Sequence, residues 1–79
     1  MYFVYAIKSI NHNYIYVGIS DNPERRINQH NKGYNKTTKN YLPFNILIIE
    51  EHPNRVLARI REKYLKGGSG KKFLKTLIK

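Results

Sequence analysis

Two short stretches decide the fold: Tyr2-Phe3-Val4-Tyr5-Ala6-Ile7-Lys8 and Tyr14-Ile15-Tyr16-Val17-Gly18-Ile19. Both are rich in aromatic and β-branched residues, the composition of a strand. The segment between them, Ser9 to Asn13, contains Asn11, His12 and Asn13, which favour turns. The pair is therefore expected to form an antiparallel hairpin. In a hairpin centred near residue 11, Tyr5 lies across from Tyr16 or Gly18, so both phenols can reach one surface. Half-buried strand packing is the ordinary fate of such tyrosines. Glycine at 18 removes a side chain beside them, leaving room for a phosphate or a backbone approach.

Downstream, Asn22 can cap a helix, Pro23 suits its first position and Glu24 its positive end, with Gly33 as the stop. Tyr34 to Pro43 is polar and reads as a loop. Phe44 to Glu51 reads as a third strand, whose run Ile46-Leu47-Ile48-Ile49 predicts burial on both faces. His52-Pro53-Asn54 opens a second helix running to about Lys66, and Gly67 to Gly70 breaks it. Phe73, Leu74, Leu77 and Ile78 then fall at helical spacing in a short closing helix from Lys71 to Ile78. The expected fold is α+β, a three-stranded, mostly antiparallel sheet flanked by helices in the order ββαβαα, forming a single domain over residues 1–79.

The helices carry unequal faces. In the second, Val56, Leu57, Ile60 and Tyr64 are the expected core stripe, with Arg55, Ala58, Arg59, Glu62 and Lys66 on the other side. Glu62 is the only acid after Pro53, among nine basic residues, and an i,i+4 partnership with Lys66 is its plainest explanation. The first helix has only Ile27 as a large apolar anchor, while Arg26 and His30 share a face four residues apart.

Composition narrows the function. Fifteen Lys and Arg against five Asp and Glu give a formal charge of +10, an uncompensated field that calls for a polyanion, with nucleic acid first and an anionic membrane surface second. There is no cysteine, which excludes disulfides, thiolate zinc sites and cysteine nucleophiles. His12, His30 and His52 lack zinc-ligand spacing. The longest apolar run, Met1 to Ile7, is far short of the roughly 20 residues of a membrane helix, and it has no basic head or cleavage site. A cytoplasmic protein with no membrane partner is the expectation.

Phe3-Val4-Tyr5 and, ten residues on, Tyr16-Val17-Gly18 resemble the paired tripeptides of the GIY-YIG nuclease superfamily, with Phe3 in place of the first glycine. Arg26, ten residues after Tyr16, and His30 resemble the family's helix motif, and Glu62 resembles its metal-binding glutamate. Many members carry a C-terminal asparagine, and none follows Asn54 here. The resemblance, closest to a small stand-alone excinuclease-like domain, implies a Mg2+- or Mn2+-dependent endonuclease acting in DNA repair. The implied residues are Tyr5, Tyr16, Arg26, His30 and Glu62, with Glu62 on the metal and one tyrosine as the base. Hydrolysis of a phosphodiester needs such a set: a cation on a carboxylate, a guanidinium fork for the growing charge and a base for water, with His30 positioning it or sharing the proton. The contrasting expectation is a nucleic-acid-binding module with a decayed site, held by basic residues and exposed tyrosines. Family members often join this domain to a separate DNA-binding module; 79 residues leave no room for one, so the expectation is that target choice comes from the domain itself or from a protein partner.

Overall fold

Val4, Tyr5, Ala6 and Ile7 are at most 1% exposed, and their strand organises everything else. In the computed structural model, which describes residues 1–78, this strand is β1 (Tyr2–Ser9). It lies between β2 (Ile15–Ser20) and β3 (Phe44–His52), antiparallel to both, in the sheet order β2-β1-β3. Pairing at both edges satisfies its backbone groups, so its side chains can be buried on both faces. Val4 and Ala6 join Val17, Ala58, Leu65 and Leu74 in one core. Tyr5 and Ile7 join Ile27 and Phe44 in the other. Accordingly α1 (Pro23–Asn31) covers one face, and α2 (Arg55–Lys66) with α3 (Gly68–Thr76) covers the opposite one. The order ββαβαα is as expected, with one added 3-10 turn at Lys39–Tyr41 inside the polar loop.

The helix ends follow their local chemistry. Asn22 Oδ1 accepts from the Arg25 N–H at 3.1 Å, and the Asn54 side chain caps α2 in the same way through Leu57. Gly33, at φ +80, takes the left-handed turn just past α1.

Three expectations are corrected. β3 is an edge strand and is not buried on both faces: Ile46 is 54% exposed and Ile49 also faces solvent. With three strands only one can be central, and nine-residue α1 leaves the β3 side of its face open. The register also shifts opposite Ala6 and Ile7. Second, α2 is turned away from the expected stripe. Val56 and Ile60 are 70% and 61% exposed, and Leu57 and Tyr64 are exposed as well, while Ala58, Glu62 and Leu65 are buried. The small Ala58 lets the helix sit close to the sheet, and Arg61 locks the rotation with a two-pronged bond to Glu50 on β3 at 2.9 and 3.0 Å. Third, α3 starts inside the glycine-rich segment at Gly68, with Gly67 as its cap. A Cβ on Gly70 would overlap the Tyr64 carbonyl and the Leu65 backbone, so this glycine permits the close approach of α3 to α2.

Candidate active site

Tyr5 stands directly opposite Gly18 in the β1–β2 register. A Cβ on Gly18 would lie 2.7 Å from the Tyr5 hydroxyl oxygen and 3.0 Å from the Tyr16 ring. The space that glycine frees is therefore taken by the two tyrosine rings, whose centroids are 6.2 Å apart, and not left open for a phosphate.

His30, in the last turn of α1, is fully buried against this pair. Its Nε2 is 3.0 Å from Tyr5 Oη, its Nδ1 is 2.8 Å from Thr38 Oγ1, and its ring centroid is 4.7 Å from that of Tyr16. One nitrogen donates and the other accepts, as in a neutral imidazole. Burial, reinforced by the charge of Arg26, holds its pKa below the usual histidine value. Tyr5 is pushed up to about 12, first by burial and then by Tyr16; Arg26 opposes the rise and Glu62 adds to it. Tyr5 thus keeps its proton at neutral pH, whereas Tyr16 is half-buried and reaches the surface.

Arg26, one turn before His30, donates from Nη1 to Gln29 Oε1 at 3.0 Å, which engages one of five guanidinium donors. Glu62 is 7% exposed and sits between Lys66 at 3.2 Å and Arg59 at 3.6 Å. The Lys66 pairing was expected from spacing; the burial was not, because it follows from the rotation of α2. Tyr5, Tyr16 and His30 are thus in direct contact; Arg26 acts on the Tyr5 phenol by hydrogen bonding and then by its charge, and Glu62 by its charge alone.

The other histidines lie elsewhere. His12 packs edge-on to Tyr41, and His52 faces Glu50. Among the described residues no three His, Asp or Glu side chains converge, and no helix is long and apolar enough to cross a membrane. Sequence reasoning missed Thr38, which is fully buried, and Gln29. Neither carries a local signal, since one lies in a polar loop and the other on a polar helix face.

A cavity of about 180 Å³ opens beside the cluster, lined by Arg26, Gln29, His30, Tyr34 and Asn35. A larger cavity, about 480 Å³, lies elsewhere, between β3 and the residues just after α3. Its one titratable group, Lys8, is tied to the Ser9 and His12 carbonyls, so it offers no chemistry.

A family model described as the GIY-YIG catalytic domain matches residues 1–75. The chain belongs to the GIY-YIG family. Neither curated proteins nor solved structures give a match. The family is one of nucleases, which supports a nuclease-type function for this small domain. The geometry also explains how this GIY-YIG domain departs from its name. Phe3 sits within β1, and no non-glycine residue has a positive φ among the described residues, so that position makes no demand for glycine. Gly18, where a Cβ would meet both tyrosine rings, is the motif glycine that cannot be exchanged freely.

Proposed function

We propose that this domain is an endonuclease that hydrolyses DNA phosphodiester bonds with one divalent cation, Mg2+ or Mn2+. The observation that carries the proposal is Glu62: a nearly buried carboxylate on a strongly basic helix, whose charge acts on a phenol hydrogen-bonded to an imidazole. A lone hard oxygen donor suits magnesium, which keeps most of its waters and often takes a single carboxylate. When bound, such a cation would neutralise phosphate charge and polarise the scissile group.

The chain's own residues divide the remaining work. Arg26 offers its unengaged N–H donors to a non-bridging oxygen and to the charge that grows there. Tyr16, the tyrosine that reaches the surface, is assigned the role of the base that takes the proton from water. Tyr5 keeps its proton and, with His30 between it and Thr38, holds the aromatic cluster in place. Lys66 and Arg59 hold the Glu62 carboxylate in place through their ion pairs.

A second reading, a DNA-binding module without catalysis, has one observation in its favour: the first family tyrosine is sealed in the core and protonated. Glu62→Gln separates the two. In the nuclease, the neutral amide holds the cation poorly, so cleavage of a panel of labelled DNA structures with magnesium or manganese is lost, while DNA affinity is kept or improves because a negative charge is gone. A Glu62→Gln protein that still nicks DNA with magnesium removes the metal role. A wild-type protein that binds DNA but is inert on the whole panel establishes the binding module.

A further inference from the structure

Tyr34 is the most exposed of the seven tyrosines, at 72%. It follows Gly33 immediately after α1, where its backbone N–H is anchored to the Gln29 carbonyl at 3.0 Å. Tyr34 also lines the cavity formed with Arg26, Gln29, His30 and Asn35. An exposed aromatic ring beside a polar recess has nothing to pack against in the fold itself, and it presents an open π-face.

The polar groups of the recess point to the same ligand. Gln29 Oε1 is taken by Arg26, and Asn35 Oδ1 accepts the Thr37 N–H at 2.8 Å. Each amide therefore turns its NH2 group, a pair of donors, away from these bonds. Amide N–H groups can donate to the acceptor atoms of a base edge, and an aromatic face can stack the base. The cavity is smaller than the roughly 300–1,000 Å³ of pockets that enclose whole drug-sized ligands, and so is suited to one planar ring. Electrostatics agree: residues 25–49 include Arg25, Arg26, Lys32, Lys36 and Lys39 and no acid.

We propose that this recess is a stacking subsite for a single unpaired base of the DNA substrate. The inference rests on the nuclease reading in one respect: Arg26 and His30 line the recess and also belong to the candidate active site, so the base in the recess belongs to a nucleotide next to the phosphate under attack. In a duplex each base is stacked and paired, and entering the recess requires extruding it at a cost of a few kcal/mol. Single-stranded DNA, or an unpaired nucleotide at a junction or overhang, meets no such cost. The domain's preferred substrate is therefore DNA with an unpaired base at the cut.

The test measures binding in EDTA, so that it does not depend on catalysis. Full-length wild type, Tyr34→Ala and Tyr34→Phe are titrated with fluorescein-labelled single-stranded DNA and with a blunt duplex of equal length at one salt concentration. A single-stranded probe carrying 2-aminopurine reports stacking directly. Expected are a loss of about 5- to 100-fold in single-strand affinity for Tyr34→Ala, the range for removing one stacking aromatic, and duplex affinity within about twofold of wild type. Tyr34→Phe retains the single-strand affinity, and 2-aminopurine quenching by wild type disappears in Tyr34→Ala. Equal melting temperatures show that the exposed position was changed without unfolding. Unchanged single-strand binding by Tyr34→Ala, or an equal loss on both probes, overturns the proposal. If the subsite behaves as expected while wild type cleaves nothing, only the nuclease reading fails.

Discussion

With its Nε2 at the Tyr5 hydroxyl and its Nδ1 at Thr38 Oγ1, the His30 ring has both nitrogens engaged inside the fold. Protonating it would place a charge in a buried site beside Arg26, which is why its pKa is depressed. The consequence for stability has a definite sign. The unfolded chain takes up this proton near pH 6.5 and the folded chain only below that, so the unfolded state binds more protons across the interval. Stability should accordingly be full above about pH 6.5 and decline as pH falls through it, ahead of the loss from the Glu50–Arg61 pair in the carboxylate range. Urea unfolding between pH 7.5 and 5 measures this, and His30→Gln, which cannot titrate, should flatten the upper part of the slope. A His30 ring seen by NMR to titrate above pH 6.5 would contradict the buried, neutral assignment. The tyrosine pair and His30, which the fold brings into contact, were legible in the sequence because motif spacing marks them. Thr38 was not, because its partner is eight positions away and across a loop.

Helix α2 shows where one-dimensional patterns stop informing. Its largest apolar residues share a stripe, yet the fold buries Ala58, Glu62 and Leu65 instead. A stripe ranks residues by size, whereas close packing on a sheet favours a small residue, and the Arg61–Glu50 pair on β3 fixes the rotation from outside the helix. The order of elements was legible because each boundary has its own marker: Asn22-Pro23, Gly33 and Asn54. The burial of β3 was not, because edge or centre is a property of the sheet and not of the strand. Substitution distinguishes the two faces of α2. Leu65→Ala should cost about 2–5 kcal/mol, as for a filled core position. Ile60→Ser should change stability by less than about 0.5 kcal/mol, as at an exposed site. Denaturant titration of both proteins checks the pair, and a reversed ranking would mean that the helix presents its other face to the sheet.

At the scale of the whole molecule, a net charge of +10 makes polyanion binding largely electrostatic. Lys and Arg contacts to phosphate release condensed counterions, so DNA affinity should fall by about tenfold or more between 50 and 200 mM salt. Fluorescence anisotropy across that range measures it, and a flat response would remove nucleic acid as the natural partner. This property needed only composition to see. The division into two cores, one on each face of β1, needed the strand order, and it places the aromatic site in the core under α1, while Glu62 is buried on α2.

The central place of β1 also governs the order in which the chain can fold during synthesis. The ribosome releases β1 and β2 before β3, as a hairpin bearing Tyr5 and Tyr16, so β1 lacks its second neighbour until β3 emerges, and one face lacks cover until α2 follows. A lone two-stranded hairpin is marginal in water, and translation proceeds at about 5–20 residues per second. The nascent chain therefore spends on the order of seconds with its aromatic strand half-paired. Neither the sheet nor the cluster around His30 can close until Phe44–His52 has left the exit tunnel.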